Sequence, residues 1–266
     1  MRVLTLKFFV FASIFLSLGI FKSFAAEPVA DFKLIPAGSL KPFWLNTKKP
    51  FEYQVAAHRM QIHQVTNLEY IAFLKKNPQW RKSLISPLHA DAGYLAHFQG
   101  DLQLSAKQNP NAPVTSVSWF SAQAYCESID ARLATVQEWE YVAAADEKHA
   151  NANKYPQFLE RILAWYGLPR SESLAPVKSI YKNHYGIYDM HGLVWEWVED
   201  FNSNTMTGES REDSSLDRNL FCGASSANAR NKEDYAAFMR FAFRGSLKGS
   251  STVWNLGFRC AKGASK

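Results

Sequence analysis

Cysteine is scarce in this chain of 266 residues: Cys126, Cys222 and Cys260 are the full set, and no two of them make a C-x-x-C pair. The redox and metal chemistry that depends on that motif is therefore excluded. No glycine-rich loop of the phosphate-cradling kind occurs, and no G-x-S-x-G elbow, so neither a nucleotide P-loop nor a hydrolase nucleophile is supported. Internal repeats, coiled-coil heptads and low-complexity tracts are absent as well. Beyond the first 25 residues no apolar run is long enough to span a bilayer. The basic pairs Lys48-Lys49 and Lys75-Lys76 are isolated and read as ordinary surface.

What is present begins with an export signal. Arg2 and Lys7 precede an apolar run from Phe8 to Phe21, and Ser23 and Ala25 supply small residues ahead of a cleavage point before Ala26. Residues 1–25 are expected to be removed as a signal peptide; an uncleaved anchor is the alternative that Lys22 keeps open. Residues 26–266 are expected to form one domain, since no linker divides them. The leader holds Arg2, Lys7 and Lys22 and no acid, so its removal halves the formal net charge of +6. Charge is thus no pointer to a nucleic-acid partner or to a membrane surface. The mature chain is expected in the periplasm of a bacterium or secreted. In an oxidising compartment three cysteines can make one disulfide and leave one thiol, and the count does not say which.

The stretch from Phe238 to Cys260 places Arg240, Arg244 and Arg259 among Phe238, Phe241, Phe243, Trp254 and Phe258, punctuated by Gly245, Gly249 and Gly257. It reads as buried, irregular strands rather than an amphipathic helix. Arginines held among aromatics need carboxylates or carbonyls, and Trp195 to Asp200, WEWVED, is the expected source.

Earlier elements are marked by their caps. Asp31 to Leu40 reads as an edge strand and a turn, and Gln54 to Gln64, with His58 and His63, as extended. Thr66 and Glu69 form a T-x-x-E capping box for a helix that Pro78 ends. Residues 77–116, rich in proline, are expected to be long loop with embedded short strands; His89 and His97 there have no ligand spacing. Ser118 can cap a helix carrying Ala122, Cys126 and Ile129 on one face, and Thr135 with Glu138 forms a second box. Arg132 is the nearest partner for Glu138 and Glu140. An amphipathic turn or two is expected around Phe158, Leu159, Ile162 and Leu163.

Tyr185 to Phe201, YGIYDMHGLVWEWVEDF, is dense in aromatic residues and acids and reads as a core seam. Asp189, His191, Glu196, Glu199 and Asp200 could in principle hold a metal, but their crowded spacing fits a solvated or salt-bridged cluster better.

Four blocks in this order, HQVTNLEYIAFL, PVTSVSWFSAQAYCESIDARLATVQEWEYVAAA, YGIYDMHGLVWEWVEDF and the closing NLGFRC, resemble the formylglycine-generating enzyme, or sulfatase-modifying factor, family. The resemblance implies an α+β fold related to C-type lectin-like domains, loop-rich, with short helices and small antiparallel sheets. It implies a disulfide between Cys126 and Cys260, with Cys222 as the odd thiol. It also implies structural roles for Glu196, Arg244, Asn255 and Arg259.

Active members of the family oxidise a cysteine of a sulfatase peptide with copper(I) held by two thiolates five residues apart. In this chain Gly223, Ala224 and Ser225 match the glycine-serine motif before that pair, and Tyr235, Arg240 and Arg244 match the framework after it. Between Ser226 and Ala236, however, there is no cysteine. One thiol cannot make a two-coordinate thiolate site, unless Cys222 were joined by Met206, Met239 or a histidine. Where the family has G-N-A-W-E-W, residues 192–197 read Gly-Leu-Val-Trp-Glu-Trp, and Leu193 has no oxygen to offer calcium. The CGAS…DYAAFMR pattern resembles a divergent exported branch that contains accessory proteins of copper nitrite reductase. The expectation is an exported accessory or maturation factor without the cysteine pair, binding a protein or peptide partner, with Cys222, Ser225 and Arg240 as site candidates. An oxidase acting on a partner's cysteine through Cys222 and copper is the alternative.

Overall fold

The structure is a computed structural model describing residues 30–41, 52–202 and 232–265; the expected leader lies outside the described residues. The architecture is α+β. A four-stranded antiparallel sheet has the order β1-β4-β8-β5, built from β1 Phe32–Ile35, β4 His58–Gln61, β8 Cys260–Gly263 and β5 Arg132–Leu133. β2, Gly38–Leu40, pairs with β3, Tyr53–Val55, in an antiparallel ladder, while β6, Trp195–Trp197, runs parallel to β7, Leu256–Phe258. The first strand is thus an edge strand, as its short alternating run predicts.

The capping signals place the helices. α1, Asn67–Lys76, opens on a complete capping box between Thr66 and Glu69 and stops at Asn77, ahead of the Pro78–Trp80 turn. α2, Trp119–Glu127, is capped by the Ser118 hydroxyl, and α3, Val136–Ala143, by a second complete box between Thr135 and Glu138. Ala122 and Cys126 are buried on α2 as expected, whereas Ile129 falls past its end. α4, Pro156–Tyr166, starts on a proline whose missing N–H has no helical acceptor to lose.

Two expectations are overturned. Residues 77–116 form turns and isolated bridges such as Phe98 with Leu104, not embedded strands, because prolines and polar residues interrupt every potential ladder. The first half of the Phe238–Cys260 stretch is helical: α5 spans Lys232–Gly245. Its inward stripe is Ala236, Arg240 and Arg244, at i, i+4 and i+8, so the helical period is carried by arginines that an apolar pattern does not register. Strand structure begins only at β7.

The four-stranded sheet separates two cores. On one face Cys260 and Leu133 meet Tyr70, Phe73, Tyr125, Trp197 and Phe258; on the other Met60, Ile35 and Ala261 meet Trp139, Phe158, Ile162, Ile187 and Met190. This is the period-two alternation of β8 read in three dimensions. Cys126 on α2 is bonded to Cys260 on β8 with an S–S length of 2.04 Å, which ties the first core together across 134 residues of sequence. In NLGFRC the glycine is a steric requirement, since a Cβ on Gly257 would lie 2.6 Å from the carbonyl oxygen of Val114.

Candidate functional site

Capping α3 at Thr135 fixes its rotation, and that turns Trp139 and Glu140 inward. α5 meets Glu140 with two arginines one turn apart. Arg240 donates from Nε to Oε1 at 2.9 Å and from Nη2 to Oε2 at 2.6 Å; Arg244 donates from Nη1 to Oε1 at 2.7 Å. A third nitrogen of Arg240, Nη1, donates to the Tyr166 hydroxyl at 3.0 Å and to the Ala236 carbonyl at 3.2 Å. All three charged side chains are buried. Burial alone would raise the Glu140 carboxyl, but the two guanidiniums outweigh it and hold the pKa at about 2. Burial likewise works against the charge on Arg240, and Glu140 outweighs it, so that guanidinium is held above its ordinary value.

A second centre lies behind the first. Arg259 donates from Nε to Glu196 Oε2 at 2.7 Å and from Nη2 to Oε1 at 2.8 Å, with both side chains at 0% exposure. The same carboxylate accepts from Gln64 Nε2 at 2.9 Å and from the Trp139 indole at 2.8 Å. Trp139 therefore joins the centres: its N–H binds Glu196, and its ring carries the Arg244 guanidinium 4.8 Å from the centroid.

These contacts correct the arginine pairing read from sequence. WEWVED supplies Arg259, through Glu196, but Arg240 and Arg244 take Glu140, which lies 100 and 104 residues earlier in the chain. Glu140 is not a partner of Arg132, whose fork meets Glu138 at 2.7 and 2.6 Å. The i, i+4 spacing of Arg240 and Arg244 was the signal available for a shared acid. Asn255 acts through its backbone, its carbonyl accepting the Trp195 N–H at 2.8 Å where β6 begins.

The acids of Tyr185–Phe201 do not converge. Asp189 accepts the backbone N–H groups of Lys178, Ile180 and Tyr181; Asp200 accepts that of Val136 at the start of α3; Glu199 lies 3.7 Å from Arg132. His191 is buried with Nε2 2.9 Å from the Ala143 carbonyl oxygen, and burial, with Arg240 nearby, holds its pKa at about 3. Asp189 and His191 are buried, while Glu196 and Glu199 are salt-bridged to Arg259 and Arg132, so the salt-bridged half of the expectation holds for these two acids and the solvated half fails for Asp189 and His191. Among the described residues no group of three His, Cys, Asp or Glu side chains is arranged to hold a metal.

Neither of the family's metals fits the donors present. Cys126 and Cys260 are consumed in the disulfide, leaving Cys222 as the single thiol where linear copper(I) needs two thiolates. Around residues 192–197 Leu193 offers no side-chain oxygen, and both Glu196 oxygens already accept from cations and N–H groups. Cys222 and Ser225 lie outside the described residues. Arg240, the third candidate, is in the centre just described. Beside it Trp165, Tyr166, Trp195 and Phe243 form a run of half-buried rings, with Trp195 4.7 Å from Phe243, 4.8 Å from Tyr166 and 5.2 Å from Trp165.

A family model described as "Sulfatase-modifying factor enzyme 1-like domain" matches residues 19–264. The chain belongs to this family. Among its relatives, the formylglycine-generating enzyme of Streptomyces coelicolor is 35% identical over 175 residues, covering 58% of this chain and 54% of that protein. A protein of Bos taurus named "Inactive C-alpha-formylglycine-generating enzyme 2" is 32% identical over 167 residues, covering 58% and 51%. The chain thus spans about half the length of the curated relatives it matches. Among solved structures it is similar to PvdO from Pseudomonas aeruginosa, with 19% identity, a TM-score of 0.48, and coverage of 87% of this chain and 94% of that one. As a member of the sulfatase-modifying factor family the chain has the Cys126–Cys260 bridge that the family resemblance implied.

Proposed function

We propose that this protein is an exported, non-oxidase member of the sulfatase-modifying factor family that acts as an accessory or maturation factor for an exported partner protein, a copper enzyme. The observation that carries the reading is the thiol count. With Cys126 and Cys260 bridged, Cys222 stands alone, and the family's copper oxidation has no second thiolate. That relatives named as inactive exist gives the scaffold a precedent without the reaction.

The face on which α4 and α5 meet suits a protein partner. Its half-buried rings, Trp165, Tyr166, Trp195 and Phe243, are of the residue types that dominate binding energy in interfaces, and they adjoin Arg240 and Arg244. Export rests on the leader pattern and on the disulfide; no helix among the described residues is long and apolar enough to cross a membrane.

The test joins chemistry to binding. Purified mature protein is titrated with copper(I) in competition with a chelator, alongside Cys222→Ser, and is incubated with a cysteine-bearing sulfatase peptide. No formylglycine is expected, and no tight copper equivalent that the serine variant loses. Binding to a purified copper enzyme of the same compartment is expected to weaken in Trp195→Ala. Turnover of the peptide that Cys222→Ser abolishes would establish the oxidase instead.

A further inference from the structure

Charge in the Glu140 centre does not balance. Two guanidiniums, Arg240 and Arg244, are buried against one carboxylate, which leaves one positive charge in a region of low dielectric. Among the described residues no second carboxylate is paired with either guanidinium, and the buried His191 beside them is neutral and supplies no negative charge. Burying an unmatched charge is costly enough that a partner for it is the ordinary solution.

The geometry shows which arginine is incomplete. Arg240 makes bonds from all three nitrogens. Arg244 makes one, from Nη1, and its Nε–Nη2 edge has no acceptor among the described residues. That edge is not sealed, since neither nitrogen is among the water-excluded unpaired atoms and the side chain keeps 7% of its exposure. Two parallel N–H groups on one guanidinium edge match the two oxygens of a carboxylate. The surround is aromatic, with Trp139 under the guanidinium and Phe241 5.8 Å away.

We propose that the free edge of Arg244, backed by Arg240 and Glu140, is a binding site for a single carboxylate presented by an acidic side chain of the partner protein. One negative charge neutralises the centre; a doubly charged phosphate or sulfate would leave an excess of the opposite sign. The proposal supplies the chemistry of the partner and rests on the reading of this face as a docking surface.

Acetate is the probe. At constant ionic strength against chloride, acetate is expected to change tryptophan fluorescence saturably, with a midpoint on the order of millimolar, since Trp139 lies against the site. In Arg244→Lys, which keeps the charge and loses the fork, the midpoint is expected to weaken about tenfold. Arg161→Lys, at a separate ion pair, is expected to leave it unchanged. Should Arg244→Lys fail to fold, the Arg244 Nε–H resonance of the wild-type protein is followed instead, and it must shift with the same midpoint. No saturable response to acetate in the folded protein overturns the proposal. So does a response that survives in Arg244→Lys, a preference for sulfate, or an Arg244 resonance that does not move. If acetate binds as expected while partner binding is indifferent to Arg244→Lys, the carboxylate site stands and the docking reading falls.

Discussion

Arg259 and Glu196 form a two-point ion pair, 2.7 and 2.8 Å, with both side chains wholly removed from water. Four donors converge on one carboxylate there, because Gln64 and Trp139 add theirs to the guanidinium. Such a pair contributes little net stability against an apolar replacement, yet breaking it strands a buried charge. Arg259→Met is therefore expected to lower unfolding free energy by about 3–5 kcal/mol, measured by urea denaturation. Adding Glu196→Leu should recover only part of it, since Gln64 and Trp139 then lose their acceptor.

The bridge between Cys126 and Cys260 closes a loop of 134 residues. On the chain-entropy model that is worth about 5 kcal/mol, and natural bridges typically give 2–5. Cys126→Ala with Cys260→Ala is expected to lower the urea midpoint by an amount in that range. Reduction of the wild-type protein should reproduce the shift, and equal midpoints before and after reduction would contradict it.

Acid should destabilise the protein in two stages. His97 and His191 are held neutral by burial, at about 4 and about 3 against an ordinary 6.5. Their unfolded forms bind protons more readily, so their contribution is complete above pH 6.5 and is lost as pH falls toward those values. Glu140, held at about 2 against 4.5, contributes fully above 4.5 and loses that contribution as pH falls toward 2. Unfolding free energy is expected to decline already between about pH 7 and pH 5, and His97→Gln should flatten that upper stage. A profile level over this interval would overturn the assignment.

Leu193 sits at a φ of +65°, a left-handed conformation that asparagine and glycine tolerate and leucine does not favour. The family pattern has asparagine at this position. Leu193→Asn is expected to raise stability by roughly 0.5–1 kcal/mol through relief of the backbone. A lower melting temperature in this variant would show that packing of the leucine outweighs the conformational cost.

Much of the scaffold was legible because its signals are local. A threonine with a glutamate three residues on, twice over, announced two helix starts with their caps, and both boxes are complete. The Glu196–Arg259 pair was legible because WEWVED offered an acid among aromatics that an embedded arginine must find. Glu140 was not, since its two partners lie a hundred residues away and nothing local distinguishes it from its neighbour Glu138. α5 was misread for a related reason: its buried face is written in arginine and alanine, and the phenylalanines that look like core are only half-buried. The site candidates Cys222 and Ser225 lie outside the described residues, so Arg240 alone of the three received a structural setting.

β8 lies inside its sheet, with β4 on one side and β5 on the other, although it comes late in the chain. On the export proposed above, a chain delivered N-terminus first presents β4, β5 and the thiol of Cys126 well before their shared neighbour arrives. Until then the sheet is two separate pieces, and the next thiol to emerge is Cys222, not Cys260. An oxidant acting in that interval joins Cys126 to Cys222, a pairing that keeps the strand's place open. Under the export proposed for this protein, the Cys126–Cys260 bridge then forms only with thiol exchange that keeps pace with delivery, and oxidation that is too early becomes as damaging as oxidation that fails.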